Sequence, residues 1–331
     1  MTSTAERYRR FAREAASRSA VYARWAHDLA DDPDAMALID TLPVACRQPV
    51  LILTAARFTG LSPAGDARAW LEGEWDAVEA VARTRATQTN DPRRSSALVA
   101  ALDGIRAPIA LLEVGASIGL GLLVDRYRHR YWRGAEVEST VEPVDDEPDA
   151  LELDCQLGDG VPAPTHRPEI VWRAGLERRP LALGSPDDER WLRTLIWPEE
   201  RDRARQLDAA LRVAHAHPPR VMAGDAVDGL RSAVADMPDD VVRVIWSPAV
   251  LVYLAPEARA RFGELARELG DVWVSLDGRR VLPEVAERAA EILPGADDDF
   301  VLSRDGRPLA IVAPHGDRIE RWAAVGPSES G

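Results

Sequence analysis

Apolar residues recur at three- and four-residue steps along the first hundred positions, and the pattern predicts helices there. Between residues 4 and 30, Tyr8, Phe11, Ala15, Tyr22, Trp25 and Leu29 fall on one face of a single amphipathic helix. Ser3 and Glu6 precede it at capping-box spacing. A second helix starts at Pro49, whose fixed φ suits the first helical position, and stops near Gly60. A third covers 66–84, with Trp70, Trp75, Val78 and Val81 on one face. A fourth begins after Asp91 and Pro92, read as N-cap and first helical residue.

From about residue 105 the period changes. Short apolar runs at 109–114, 170–174, 220–223, 241–246 and 272–276 alternate with helix-compatible stretches. Two last runs, 299–304 and 308–313, flank Asp305-Gly306-Arg307, a strong hairpin signal. Alternating strands and helices predict an α/β fold, a Rossmann-like and mostly parallel sheet that ends in an antiparallel hairpin. The expected division is a helical N-terminal cap over 1–104 and a Rossmann-like core over 105–331. Residues 134–168 are acidic and Pro-rich and read as an inserted hairpin or loop.

The stretch 109–121 carries the most specific signal. An apolar strand ends in Glu113, a turn of small residues follows (Gly115, Ala116, Ser117, Gly119), and the apolar segment 120–131 reads as a helix. Small residues let a ligand approach the backbone, and a helix start offers free N–H groups. The order E-x-G-x-S-x-G lacks the G-x-G-x-x-G of dinucleotide sites. It resembles motif I of class I S-adenosylmethionine (SAM) methyltransferases, with Ser117 in place of the middle glycine. SAM has no phosphate, and its cationic methionine end suits a nearby carboxylate.

Ligands of open α/β sheets bind at the carboxyl ends of the strands, so the residues after each run are the candidates. The resemblance implies a cofactor loop at Glu113, Gly115, Ala116, Ser117 and Gly119. It implies a ribose-binding acid at the end of the second strand. Glu177 fits if 134–168 is an insertion, and Glu138 competes if it is not. Asp225, followed by Ala226, stands where an acid meets the adenine amino group, although it also suits a helix cap. Ser247 stands where the methyltransferase pattern lines the substrate mouth. Arg85, Gln88, Asn90 and Arg94 read equally as a loop closing over substrate, with Arg94 on an anionic group, and as a capped interhelix turn. Tyr253 is a candidate for the mouth or for the core.

Other chemistry is thinly signalled. His215 and His217 have metal-ligand spacing but no Cys or further His nearby, and a solvated helix end explains them. No G-x-S-x-G elbow, P-loop or H-E-x-x-H occurs. Trp197-Pro198-Glu199-Glu200 reads as an ordinary helix entry.

Composition narrows the partners. The chain has 331 residues and a net charge of −14, and its 41 basic residues are all Arg. That balance argues against nonspecific nucleic-acid binding, which needs a basic face. Cys46 and Cys155 are too few for a disulfide framework. No apolar window is long enough for a membrane span, and the N-terminus lacks a secretory h-region. A cytoplasmic protein acting on a small molecule is expected, with no membrane or nucleic-acid partner.

Taken together, Arg47-Gln48-Pro49, Thr87-Gln88-Thr89-Asn90, the turn from Leu112 to Ser117, Asp125-Arg126-Tyr127, Trp197-Pro198 and Tyr253 resemble a bacterial family known as a domain of unknown function, commonest in high-GC genomes. Gly121 stands where that family leads one to expect Asn, and Trp246 where it leads one to expect a smaller or polar residue. The resemblance implies one full-length unit and no established activity. The favoured expectation is a SAM-dependent, methyltransferase-like protein with a small-molecule acceptor. The alternative is a noncatalytic nucleotide-binding or interaction module on a degenerate Rossmann scaffold, for which Ser117 and the lack of a recognisable acid or base speak. A nicotinamide oxidoreductase fits less well, because its glycine fingerprint is missing.

Overall fold

The apolar stripe of residues 4–30 folds as two helices, α1 (Thr4–Ala15) and α2 (Ala20–Ala30), in a computed structural model that describes residues 3–144, 150–296 and 299–323. The capping box forms as expected, with Glu6 N donating to Ser3 Oγ and Ser3 N to Glu6 Oε2. The break comes at Ser19, extended at φ −146°, whose Oγ accepts from Tyr22 N. The same hydroxyl donates to Glu199 Oε2, and Val21 N donates to Glu199 Oε1. A residue far along the chain therefore caps α2, and Trp197 beside it stacks on Tyr22 with ring centroids 5.1 Å apart. The segment read as a plain helix entry therefore also fixes the start of α2.

Three more helices follow: α3 (Pro33–Asp40), α4 (Pro49–Thr59) and α5 (Ala67–Thr84). Gly60 stops α4 at φ 126°, and Asp66 caps α5 by accepting from Arg68 N. Next come α6 (Arg94–Leu102), α7 (Pro186–Leu195) and α8 (Arg201–Ala216). Contacts divide the chain into two compact units. One holds the residues up to Thr89 with Gly184–Arg205; the other holds Asn90–Leu183 and the residues from Gln206 onward. The division thus differs from a single cut at 104–105. Helix α6 belongs with the sheet because Ala97 to Leu102 are buried in its core, and α7 returns to the helical unit.

The second unit is built on an eleven-stranded sheet. In chain order its strands are β1 (Ile109–Val114), β2 (Arg128–Arg133), β3 (Glu136–Val141), β4 (Glu152–Leu157), β5 (Ile170–Glu177), β6 (Val221–Ala223), β7 (Val242–Pro248), β8 (Val272–Gly278), β9 (Phe300–Arg304), β10 (Arg307–Val312) and β11 (Arg318–Trp322). Helices α9 (Leu230–Ala235), α10 (Pro256–Leu269) and α11 (Pro283–Ile292) intervene. The sheet order is β3-β2-β4-β11-β10-β9-β8-β7-β1-β5-β6. Strands β6, β5, β1, β7 and β8 run parallel, as a Rossmann-like sheet requires, and β9 to β11 form an antiparallel meander beside β8. The expected hairpin is β9–β10, turning through left-handed Asp305 (φ 54°) and Gly306 (φ 76°). Strand β1 is buried on both faces. Ile109 and Leu111 pack with α6, Trp246 and Leu276, while Ala110, Leu112 and Val114 pack with α10 and α11.

One expectation is corrected here. Residues 120–131 are not a helix: a short 3-10 turn, Leu120–Arg126, leads directly into β2. Side chains take the carbonyls that a helix would use. Leu120 O accepts from Tyr127 Oη, Leu122 O from Arg173 Nη1, and Val124 O from His129 Nε2. Burial pushes the His129 imidazole down to about 4, and its Nδ1 pairs with Ser96 Oγ. The region 134–168 contains the expected hairpin, formed by β2 and β3, and it is inserted between β1 and β5, which pair directly. Strand β2 pairs with β3 and β4, and β4 joins β11 in parallel, so the excursion extends the same sheet. Residues 145–149 of that acidic stretch lie outside the described residues. No helix among the described residues is long and apolar enough to cross a membrane.

Candidate functional site

Strand β1 lies at the point where the connections of the sheet reverse. Strands β5 and β6 lie on one side of it, and β7 and β8 on the other. Open α/β sheets bind ligands outside the carboxyl ends at such a point. The loop leaving β1 has three alternate residues with left-handed φ: Gly115 at 81°, Ser117 at 52° and Gly119 at 90°. A Cβ on Gly115 would lie 2.8 Å from Val250, and one on Gly119 2.8 Å from Pro219. The fixed glycines therefore serve both the turn and its close packing.

Ser117 adopts the glycine conformation despite its side chain, which costs about 1–2 kcal/mol. Its surroundings hold it there. Asn90 Nδ2 donates to Ser117 Oγ at 2.6 Å, and Ser117 N donates to Glu177 Oε2 at 3.0 Å. Among the described residues only Ala249 and Asp305 share this strain outside glycine, and Asp305 belongs to the hairpin turn. Ala249, at φ 55°, follows β7 and sets Val250 against the β1 loop. Strain thus gathers at the carboxyl ends of two adjacent strands, as it does at sites of function.

The strain gives a direct test. Ser117→Ala keeps the left-handed backbone and loses the Asn90 bond, so about 1 kcal/mol of stability should go. Ser117→Gly loses the same bond but relieves the strain, and its denaturation midpoint should stay near that of the parent. A glycine variant less stable than the alanine variant would refute this account of the turn.

Glu113 ends β1 inside the protein. Burial pushes its carboxyl up to about 8, Glu177 adds to the rise, and Arg94 only partly opposes it. Its Oε2 has no hydrogen-bond partner, and a Cβ at Gly121 would lie 2.5 Å from Oε1. Gly121, found where Asn was expected, leaves the room that this carboxyl fills. A second buried acid, Asp277, stands at the end of β8, and neither of its oxygens makes a hydrogen bond. Burial again raises it well above the usual range, against the opposing charges of Arg94 and Arg259 and the nearby amides of Leu251 and Val252. The sequence reading passed over Asp277, although an acid straight after a strand was the signal used for the other strands.

The remaining candidates separate clearly. Glu177 lies against the β1 loop, its two oxygens accepting from Ser117 N and Arg179 N. Glu138 lies on β3, at the far edge of the sheet, paired with Arg133. Of the two competing acids, Glu177 is the one at the loop. Asp225 is exposed after β6 and accepts from Val227 N at 2.9 Å, so it caps the turn that follows, and Ala226 beside it is buried. Ser247 does not line a mouth. It is fully buried, and its hydroxyl accepts from Trp273 Nε1 at 3.0 Å. Trp246 is a core residue. Tyr253 is not core: it is 67% exposed in the 3-10 turn Leu251–Tyr253 that follows β7.

Asn90 and Arg94 belong to the α/β unit, whereas Arg85 and Gln88 belong to the helical one. Arg85 pairs with Asp188, and its guanidinium lies over Phe58 and Trp191. Among the described residues no group of three or more His, Cys, Asp or Glu is placed to hold a metal ion. The site is therefore a strained, well-packed loop flanked by two buried acids that burial pushes above the usual carboxylate range, with Glu177, Asp225 and Tyr253 at the ends of neighbouring strands. No curated protein matches the chain. The family profile for DUF2332, described as an uncharacterized protein conserved in bacteria, matches residues 5–321, and the chain belongs to that family.

Proposed function

We propose that the carboxyl edge around β1 binds SAM and that the protein is a cytoplasmic, methyltransferase-like enzyme with a small-molecule acceptor. The observation that carries this reading is the left-handed β1 loop at the reversal point of the sheet, with Glu177 held against it. The residues fit such a ligand. Each Glu177 oxygen accepts one backbone N–H, and a carboxylate has about four acceptor sites, so capacity remains for a ribose diol. Asp225 is exposed one strand further along. Glu113 offers a buried oxygen without a partner, suited to a cationic group entering beside it. The bound cofactor would supply an electrophilic methyl group; positioning by the loop supplies the rate.

One observation favours the alternative of a noncatalytic module. The β1 loop is already packed against Val250 and Pro219, and burial pushes its neighbouring acid, Glu113, well above the usual carboxylate range.

Calorimetric titration with SAM and S-adenosylhomocysteine, with NADH as control, decides between the two. Micromolar binding of both adenosyl compounds and none of NADH is expected. Asp225→Ala is the cleaner probe variant, because bulk at buried Glu113 or at Gly115 would disturb the fold itself. It should weaken SAM about tenfold, the loss of one charged hydrogen bond. Absence of SAM binding to the parent protein would leave the noncatalytic reading in place.

A further inference from the structure

We propose that Asp277, sealed beneath the turn that follows β7, receives the amino group of a substrate whose apolar part lies on Val252 and Tyr253. The reaction class rests on the reading above, whereas the geometry of this amine site is independent of SAM.

Asp277 is the last residue but one of β8, which runs parallel to β7 and β1, so it stands at the same edge as the β1 loop. The turn from Ala249 to Leu254 closes over it. Ala249 N donates to Leu276 O at 2.7 Å and ties the turn to the end of β8. The amides of Leu251 and Val252 come close enough to act on the Asp277 carboxyl. Leu251 is fully buried, while Val252 is 49% exposed and Tyr253 67%. Two apolar side chains thus stand in water on the turn that seals the acid.

Nothing in the fold uses that acid. Asp277 is 4% exposed, and neither of its oxygens makes a hydrogen bond. A carboxyl kept for structure at this depth is hydrogen-bonded, because an unsatisfied one costs stability. The charged groups that act on it are Arg94 from the start of α6 and Arg259 from α10. Arg259 donates to carbonyls of the turn, Nε to Leu254 O at 2.9 Å and Nη2 to Val252 O at 3.1 Å. It holds the turn in place and is a positioning residue. Ala249, left-handed at φ 55°, keeps strain in the closed turn, and that strain favours lifting it for a ligand.

The unmet groups select the ligand. An ionised carboxyl accepts on both oxygens, so it calls for several donors and a positive charge. An ammonium brings three donors and an alcohol one. In the step proposed, the substrate enters as an ammonium while Asp277 releases its carboxyl proton to water. One N–H bond of the ammonium then breaks, and its proton goes to an oxygen of Asp277. The bonding pair stays on nitrogen, which becomes the nucleophile. Burial suits Asp277 to this, since a carboxylate raised well above its ordinary range is a stronger base than one in water.

The test uses the full chain, with benzylamine as the probe and benzyl alcohol as its control. Carbon NMR should show the Asp277 carboxyl protonated at neutral pH in the free protein. Its signal and the Tyr253 ring signals should move together as benzylamine is added. Binding is expected at millimolar probe, at least about tenfold tighter than that of the alcohol. One proton leaves as the pair forms, so affinity should rise between pH 6 and 8 by up to about tenfold per unit. Asp277→Asn should bind benzylamine at least about tenfold more weakly and without that pH dependence. The measurements on the parent protein decide even if this variant fails to fold. A carboxyl signal unmoved by bound benzylamine, an affinity equal to that of the alcohol, or one flat with pH overturns the proposal. So does the absence of binding at millimolar benzylamine. If SAM does not bind, the cofactor reading fails, while these measurements still decide whether Asp277 takes an amine.

Discussion

Glu113→Gln is expected to remove much of the loss of stability that the parent protein shows between mildly acidic and mildly alkaline pH. The carboxyl has its ordinary value near 4.5 in the unfolded chain and about 8 in the folded protein. Between those limits the folded state keeps a proton that the unfolded state has released. Stability is therefore full below the lower limit, falls as pH rises through the window, and levels off above it. The slope of one such group is about 1.4 kcal/mol per pH unit, so the whole window is worth roughly 3–5 kcal/mol. Asp277 is raised in the same direction and contributes a slope of the same sign. The single variant should thus flatten the dependence, and Glu113→Gln with Asp277→Asn should flatten it further. The new amide costs about 1–3 kcal/mol at every pH, because it inherits a place without hydrogen-bond partners. Urea midpoints at pH 5, 6, 7 and 8 separate that constant from the slope. An unchanged slope would show that Glu113 is ionised in the folded protein.

The same proton links stability to the proposed ligand. A cation beside Glu113 favours its ionised form, so binding releases a proton and tightens as pH rises toward 8. Glu113→Gln cannot follow, and its affinity should be weak and flat with pH. If the variant binds like the parent, the acid serves the fold alone.

Much of this architecture was legible because its signals are local. The Ser3–Glu6 box, the proline starts, the Asp305-Gly306 turn and the alternation of strands and helices each depend on residues a few positions apart. The β1 loop was legible for the same reason, and its one departure, Ser117, folds with the glycine dihedral it replaces. What escaped was decided by distant partners. The break between α1 and α2 depends on Glu199, and the failure of a helix after Gly119 depends on Arg173. Ser247 has the right position on its strand, but its side chain faces Trp273 in the core rather than the edge.

Arg173→Ala should be the most damaging single change away from the hydrophobic core. Arg173 meets Asp125 through two parallel bonds of 2.6 and 2.7 Å, and its Nη1 also donates to Leu122 O. The Asp125 side chain is 4% exposed and that of Arg173 19%. Removing the arginine strands a buried carboxylate, a loss of about 3–5 kcal/mol. Asp125→Ala should cost less, because the guanidinium left behind reaches water and keeps its bond to Leu122. The double variant should be more stable than Arg173→Ala alone, since no charge is then left unpaired. The damage should also reach the site. The 3-10 turn that Arg173 holds carries Gly121, which packs against the Glu113 carboxyl, and it begins straight after Gly119. With that turn released, the β1 loop loses one of its two walls, so denaturant midpoint and SAM affinity should fall together in Arg173→Ala. If stability falls while affinity holds, the loop is fixed from the Asn90 and Glu177 side alone.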